Sequence, residues 1–136
     1  MKVQQGYQNF YIYSGVSPHS GDSFHLFLPE SDTDMMNLFL AEFSQVFPDR
    51  EILFLLDQAR WHKAKELQVP PHITLVYLPP YSPELNPVEK LWKWLRKEVT
   101  HNQVFKTLHA LMDGLQRELR TLTPQDFQRL CHCSYL

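Results

Sequence analysis

The sequence predicts an α/β fold, in which strand and helix patterns alternate along the chain. Two nearly continuous apolar runs, 51–56 and 72–78, are typical of strands buried on both faces of a sheet. Apolar residues at helical spacing precede the first run, over 36–47, and follow the second, from position 88 onward. The predicted order is β-β-α-β-α-β-α-α-α, and 136 residues suit one domain.

A β-hairpin is predicted at the start of the chain. Residues 7–16 are rich in aromatic and β-branched side chains, which favour a strand. Residues 17–22 contain the Ser, Pro, Gly and Asp that are typical of a turn. Residues 23–28 then alternate between apolar and polar side chains, as a half-buried strand does. The two strands are therefore expected to pair across a mid-length loop.

Two helices of different character are predicted in the middle of the chain. Several N-cap candidates in 31–34 precede the apolar stripe that ends at Phe47, and Pro48 stops this helix. The stretch 59–67 is polar and is predicted to form a short helix that ends before Pro70.

A proline-rich connector precedes the next helix. Six of the ten prolines lie between positions 70 and 87, so residues 78–87 are expected to be irregular and stiff. Such a segment delivers the following element at a fixed angle. Asn86 is the predicted N-cap, Pro87 the first helical residue and Glu89 the third.

The last third of the chain is predicted to be helical. The helix after Asn86 has a buried stripe, which consists of Val88, Leu91, Trp92, Leu95 and Val99. A second stripe, with steps of three and four, covers 105–122. Thr123 and Pro124 are expected to begin a short final helix that ends near Cys131.

Two acids lie at positions where they could bind a ligand or a metal ion. Asp57 closes the apolar run 51–56, and ligands bind at the carboxyl ends of strands in open α/β sheets. Asp57 could equally cap a helix or stand in a loop. Glu89 has capping-box spacing from Asn86, and spacing alone does not separate that role from metal binding. The rigid connector before Glu89 favours metal binding over a capping role for this residue.

Other candidates carry weaker signals. His62 lies five residues after Asp57, but a lone histidine near a strand end is more often structural than a ligand. The spacing in Cys131-His132-Cys133 is wrong for a closed zinc site. With two cysteines there is no disulfide framework, so a reducing cytoplasm is the expected location. No apolar run approaches the roughly 18 residues of a membrane span.

The charge is unevenly distributed along the chain. The formal net charge of −2 gives little support to tight binding of nucleic acid by the isolated chain. However, residues 1–49 carry one base and six acids, and 50–136 carry twelve bases and nine acids. The halves therefore have net charges of −5 and +3, and a mildly basic half is available.

The connector and the end of the first apolar run resemble a known family. The segment 78–92, LPPYSPELNPVEKLW, resembles the signature of DDE transposases of the mariner superfamily, and more narrowly its bacterial insertion-sequence branch. Residues 55–62, LLDQARWH, resemble the family's aspartate-asparagine-alanine…histidine block, with Gln58 in place of the asparagine. The resemblance covers essentially the whole chain, and the proline-rich motif is its most specific part.

This resemblance implies a fold and a chemistry. The fold is an RNase H-like mixed sheet flanked by helices, and the activity is DNA cleavage at transposon ends and their joining to target DNA. Three carboxylates hold two Mg²⁺ ions, one activating the attacking oxygen and one stabilising the leaving oxygen. By motif match Asp57 is the second acid, Glu89 the third, and His62 the histidine beside the site.

The resemblance also suggests how DNA is held. Lys90, Lys93 and Lys97 are the expected phosphate contacts, which supply affinity without reading base sequence. The expected partners are transposon ends and target DNA, and no membrane is expected.

Compared with the family, the chain lacks the first acid and the strand that carries it. In the family this strand is central, between the hairpin and the strand that ends at Asp57, and residues 1–6 are too short to replace it. The chain is expected to leave a gap, to pair the hairpin with the Asp57 strand, or to borrow a strand by self-association or from an upstream-frame polypeptide. Residues 1–136 are thus predicted to be one N-terminally truncated DDE domain.

Three hypotheses about function follow. The chain is part of a split enzyme, whose upstream part supplies the first acid. Alternatively it is an inactive transposase remnant that binds DNA or protein, or a nuclease of the same fold with unrelated biology, which the proline-rich motif disfavours.

Overall fold

The computed structural model describes residues 1–5, 8–57, 65–80, 82–100 and 105–133. Its strands are β1 Lys2–Gln5, β2 Gln8–Val16, β3 Ser23–Leu28, β4 Ile52–Leu56 and β5 Ile73–Tyr77. Its helices are α1 Thr33–Val46, α2 Val88–Leu95, α3 Leu108–Thr121 and α4 Pro124–Leu130, with a 3₁₀ turn at Pro83–Leu85 and a π-helical turn at Arg96–Thr100. The predicted α/β class is confirmed. Most of the short helix predicted over 59–67 lies outside the described residues.

The described strands form two sheets. One sheet is antiparallel, in the order β1-β2-β3, and the other is the parallel pair β4-β5. No strand ladder joins the two sheets in the part of the chain that the structure describes. The domain therefore contains both antiparallel and parallel strand pairs, and each type of pair lies in its own sheet.

Strand β1 was not predicted from the sequence. It pairs antiparallel with β2, and Met1 extends the pairing by exchanging two backbone hydrogen bonds with Ile12, of 2.6 and 2.7 Å. Val3 is the apolar residue of this strand, and it is buried in the core. A four-residue segment with one apolar side chain has no readable strand period, so tertiary pairing decides its structure.

The hairpin loop is fixed by close packing on α4. Gly21 has a φ of +78°, a conformation that glycine adopts without strain. A Cβ atom at this position would lie 2.0 Å from the carbonyl oxygen of Pro124. The side-chain amide of Gln128 also donates a hydrogen bond to the carbonyl of His19. The loop therefore depends on a glycine where the predicted turn has one.

Two hydrophobic clusters lie on opposite faces of β2. The first joins β1 and β2 to α2, α3 and α4, and Ile12 is fully buried in it. The second joins β2 and β3 to α1, β4 and β5, and contains Tyr13. Because successive side chains of a strand point to opposite faces, β2 contributes to both clusters.

The helices follow the predicted stripes closely. Asp32 caps α1 by accepting a hydrogen bond from the N–H of Met35 at 2.9 Å. Four of the five predicted α2-stripe residues are buried and the fifth is partly buried; these are Val88, Leu91, Leu95, Val99 and Trp92. Helix α4 begins with a capping box between Thr123 and Asp126.

The expectation that β4 and β5 are buried on both faces is wrong. Leu53 is 73 % exposed, and Val76 of β5 is 39 % exposed. Leu56 and Ile73 are buried on the other face, in the second cluster. In the described structure this two-stranded sheet packs on the second cluster through one face, and Leu53 and Val76 lie on its other face.

Candidate active site

Asp57 directly follows the last residue of β4. Its position at the carboxyl end of a parallel strand is the predicted one, and it is exposed. The proline-rich segment returns the chain to this end of the strand, since Leu78 donates a backbone hydrogen bond of 2.8 Å to the carbonyl of Leu56. The element after the connector, α2, begins with Val88 and Glu89.

Glu89 lies in the first turn of α2 and is half-buried. Burial raises the pKa of its carboxyl, because the charged form is poorly solvated there. The positive charges of Arg96 and of the Met1 amino group lower this pKa, and the negative charge of Asp57 raises it. The structure therefore brings Asp57 and Glu89 close enough for their charges to interact.

The capping role that the sequence left open for Glu89 does not match the described geometry. Pro87 occupies the N-cap of α2, and the Oδ1 of Asn86 accepts a hydrogen bond from the N–H of Val88 at 3.2 Å. No side-chain bond to the cap residue of α2 is present in the described structure, in contrast to the capping box of α4. Local helix capping therefore does not explain a half-buried carboxylate at this position.

The amino terminus lies beside the two acids, which sequence reasoning did not foresee. The ammonium group of Met1 donates a hydrogen bond to the carbonyl of Ile12 at 2.6 Å. Burial lowers the pKa of this group to about 5, while Glu89 and Asp57 raise it and Arg96 lowers it. Two acids, one guanidinium group and one amino group thus share one region of the molecule.

Arg96 is a second residue that the site analysis of the sequence missed. Arg96 lies seven residues after Glu89, which is about two helical turns, so helical spacing places both residues on the same face of the helix. That spacing is the signal that could have found it.

A cleft of about 740 Å³ opens next to the acids. It lies between β2 and β4 and is lined by residues from both strands. Other lining residues are Met1, Asp57, Asn86 and Pro87. Asp57 therefore borders a partly enclosed space between the two sheets, and Glu89 is not among the residues that line it.

The predicted basic residues lie on the outer surface of α2 and the π-helical turn. Lys90, Lys93 and Lys97 are all exposed. The ammonium group of Lys90 donates a hydrogen bond to the carbonyl of His132, just beyond α4. His62, the histidine expected beside the site, lies outside the described residues.

Comparisons with known proteins identify the family. A family model described as DDE superfamily endonuclease matches residues 1–112. The chain belongs to this family. It is 44 % identical to an uncharacterized protein of Sinorhizobium fredii over 97 residues, which are 71 % of this chain and 72 % of that protein.

A second similarity is to an insertion-element protein. The chain is 29 % identical over 79 residues to an uncharacterized 39 kDa protein of insertion element IS630 from Shigella sonnei. The match covers 55 % of this chain and 23 % of that protein, so the chain spans a small part of that relative. No solved structure matches the chain significantly. The DDE resemblance is confirmed, and the two matches support a transposase-related function.

The described part of this DDE chain does not contain a complete metal centre. It has no group of three or more His, Cys, Asp or Glu side chains that could hold a metal ion. Cys131 and Cys133 form no disulfide; Cys131 is buried, and burial raises the pKa of its thiol to about 11. None of the described helices is long and apolar enough to cross a membrane.

Proposed function

We propose that the chain is a catalytic-domain fragment of an insertion-sequence transposase of the mariner superfamily, active in Mg²⁺-dependent DNA strand cleavage and strand transfer. Asp57 and Glu89 are its second and third metal-ligating acids, and His62 matches the family's histidine of the same site. The observation that carries this proposal is the electrostatic coupling of Glu89 to Asp57, which lines the cleft, within a DDE family member.

The donor chemistry of this acid pair fits Mg²⁺. Carboxylate oxygens are the hard ligands that Mg²⁺ prefers. Because Glu89 is half-buried and its carboxyl pKa is raised by burial and by Asp57, a divalent cation between the acids would relieve an unfavourable pairing. Asp57 and Glu89 would hold the ions, whose chemistry would be the activation of an attacking oxygen and the stabilisation of a leaving oxygen. The protein's own part is to hold the two carboxylates at the ends of rigid elements.

The site is proposed to be incomplete in the isolated chain. Two carboxylates are brought together in the described residues, and the resemblance implies three. Residues 1–136 would then form one N-terminally incomplete domain, and an upstream-frame polypeptide would supply the first acid by fusion or by assembly. An overlapping upstream frame that encodes an aspartate on an apolar strand would support this; stop codons throughout would contradict it.

Lys93 and Lys97, with Lys90 nearby, are proposed to contact DNA phosphates. Lys90 and Lys93 are exposed on α2, which also carries Glu89, and Lys97 is exposed on the π-helical turn that follows it. Such contacts add affinity without sequence readout and weaken with salt.

A Mn²⁺ titration followed by NMR tests the roles of the acids. Paramagnetic broadening is expected at the amides near Asp57 and Glu89, and it is expected to disappear in Asp57→Asn and Glu89→Gln. Glu84→Gln is the matched control, because Glu84 is an exposed acid of the same proline-rich segment. Equal broadening in all three variants would refute the assignment.

A cleavage assay tests whether the site is complete. The chain alone is expected to show no Mg²⁺-dependent nicking of labelled duplex DNA. Robust nicking that Asp57→Ala abolishes would show that the isolated chain has a full site.

A second candidate is a catalytically inactive remnant that binds DNA or protein. The absence of a three-residue metal group among the described residues favours it. This candidate predicts no Mn²⁺ binding at Asp57 and Glu89, and no restoration of nicking by any upstream polypeptide.

A further inference from the structure

Helix α4 is fixed against the hairpin by several contacts. The hairpin loop at Gly21 packs on its first turn. The side chain of Gln128 donates a hydrogen bond to the carbonyl of His19, and the buried ring of Phe127 stacks on His25. Because these contacts are spread over the length of the helix, α4 is a fixed support for any other element that rests on it.

Helix α4 also contacts α2, the helix that carries Glu89. Its C-cap residue Cys131 is fully buried in the first cluster, as is Leu91 of α2. The ammonium group of Lys90 donates a hydrogen bond to the carbonyl of His132, just beyond α4. Burial raises the pKa of the Cys131 thiol and the charge of Lys90 lowers it, which also places this charge beside the end of α4. A lysine at the C-terminal end of a helix is favourable, because the carbonyl groups there carry partial negative charge.

The local bonds in the first turn of α2 are of the 3₁₀ type. The N–H groups of Glu89 and Lys90 donate bonds of 3.1 and 3.2 Å to the carbonyls of Asn86 and Pro87, three residues back. Such bonds have poorer geometry than those of a regular α-helix. Pro87 stands at the N-cap, and the described structure has no side-chain bond to it. The contact of Lys90 with the end of α4 therefore supports this turn from outside the helix.

The rotation of α2 about its axis decides where Glu89 points. Lys90 directly follows Glu89, and successive residues of a helix are about 100° apart around the axis, so a fixed Lys90 also fixes the direction of Glu89. A rotation of about 20° would move a carboxylate that lies about 5 Å from the axis by nearly 2 Å, roughly estimated. Functional groups are held within about 0.5 Å of the productive geometry. A contact that prevents this rotation is therefore large enough in effect to matter for an acid pair.

We propose that Lys90 is a positioning residue for the acid pair: its bond to the C-terminal end of α4 fixes the first turn of α2 and thereby the direction of Glu89. The inference rests on the proposed function, because it assigns Lys90 a task at the proposed metal site. The support lies beyond the segment that matches the family model, since that match ends at residue 112 and α4 begins at Pro124. In this role Lys90 binds a protein carbonyl and not a phosphate, which separates it from Lys93 and Lys97.

Lys90→Met tests the proposal, because methionine keeps much of the length of the side chain and removes the ammonium group. Amide hydrogen exchange of the metal-free full chain is expected to accelerate by at least about tenfold at positions 89 and 90. The apparent dissociation constant for Mn²⁺, measured by paramagnetic broadening, is expected to rise by at least about tenfold. Lys90→Arg is expected to restore both values, since a guanidinium group keeps the charge and the donors. Lys93→Met is the matched control on the same helix, and neither value is expected to change in it.

The direction of the change in Mn²⁺ affinity separates positioning from a simple effect of charge. Removal of a positive charge near a cation site by itself tightens cation binding, because a repulsion is lost. Displacement of Glu89 weakens it. Tighter or unchanged Mn²⁺ binding in Lys90→Met would therefore overturn the proposal.

Exchange at Leu115, which is fully buried in α3, monitors the rest of the fold. It is expected to stay unchanged in Lys90→Met, and an equal acceleration there would overturn the proposal, because the whole protein would then be loosened. Unchanged exchange at positions 89 and 90 would show that the first turn of α2 does not depend on α4. The same losses in Lys93→Met or in Lys90→Arg would also refute the role of this bond.

The two readouts keep this inference distinct from the proposed function. If the unchanged protein shows no Mn²⁺ broadening near Asp57 and Glu89, the proposed metal chemistry fails. The metal-free exchange then still decides whether Lys90 fixes the first turn of α2. If Mn²⁺ binds and Lys90→Met leaves its affinity unchanged, the acids keep their proposed role and the positioning role of Lys90 is wrong.

Discussion

Lowering the pH is expected to destabilise the protein through His25. This β3 side chain stacks on Phe127, with ring centroids 5.5 Å apart, and its Nδ1 lies 2.8 Å from the hydroxyl of Ser14. Its buried Nε2 has no hydrogen-bond partner in the described part of the chain. Burial lowers the pKa of His25 from 6.5 to about 4. The folded protein therefore resists protonation of this ring more than the unfolded chain does.

The sign and size of the effect follow from this shift. Because burial lowers the pKa of His25 in the folded state, its stabilising contribution is fully present above about pH 6.5, where the ring is neutral in both the folded and the unfolded state. As the pH falls toward 4 the unfolded state is protonated first, and stability is lost progressively. The whole shift corresponds to about 3 kcal/mol, of which about 2 kcal/mol is lost between pH 7.5 and 5.

Urea denaturation at pH 7.5 and 5.0 measures this loss. His25→Gln is expected to have a pH-dependent loss smaller than that of the unchanged protein by about 2 kcal/mol, because the group that titrates is gone. His109→Gln is the matched control, since the side chain of His109 is 83 % exposed, and it is expected to keep the original dependence. The reasoning is refuted if His25→Gln and the unchanged protein lose the same free energy, or if NMR titration places the pKa of His25 near 6.5.

Urea denaturation also checks three predictions about packing and capping. Gly21→Ala is expected to cost more than about 1 kcal/mol, because the new Cβ meets the carbonyl of Pro124 at a positive φ; unchanged stability would contradict this. Leu91→Ala is expected to cost about 2–5 kcal/mol, since Leu91 is fully buried, whereas Leu53→Ala is expected to stay within about 0.5 kcal/mol; similar costs for both would be inconsistent with the burial pattern. Thr123→Ala removes the cap of α4 and is expected to cost about 1 kcal/mol, with a negligible change arguing against the cap.

Local signals in the sequence predicted the local structure well. The capping residue Thr123 and the stripe through Leu91 and Leu95 are readable because helix periodicity and caps depend on neighbours in sequence. Asp57 was placed correctly at a strand end for the same reason. The coupling of Asp57 to Glu89 was predicted only through the family resemblance, since the two acids are 32 positions apart.

The features that sequence reasoning missed all depend on distant contacts. Strand β1 forms because β2 offers it a pairing edge, and its four residues have almost no apolar pattern of their own. The exposure of Leu53 follows from which strands lie beside β4, which an apolar run does not specify. The nearness of the Met1 amino group to Glu89 is likewise set by the pairing of Met1 with Ile12.

The separation of the two sheets has a consequence for motion. In the described residues, no backbone ladder joins β4 and β5 to the hairpin sheet. Aromatic packing attaches them to the rest of the molecule, as where the rings of Phe54 and of Phe43 in α1 have centroids 5.3 Å apart. The other described links are side-chain contacts, such as the 2.6 Å ion pair of Arg50 with Asp22 and the 3.3 Å contact of Ser44 with His72. Side-chain contacts can separate without the loss of a backbone ladder, so β4 and β5 form a unit that can open while the hairpin and C-terminal helices stay folded. Because Asp57 ends β4 and Glu89 begins α2, such sub-global opening changes the distance between the two acids, and whatever holds the sheets together also holds the acid pair in place.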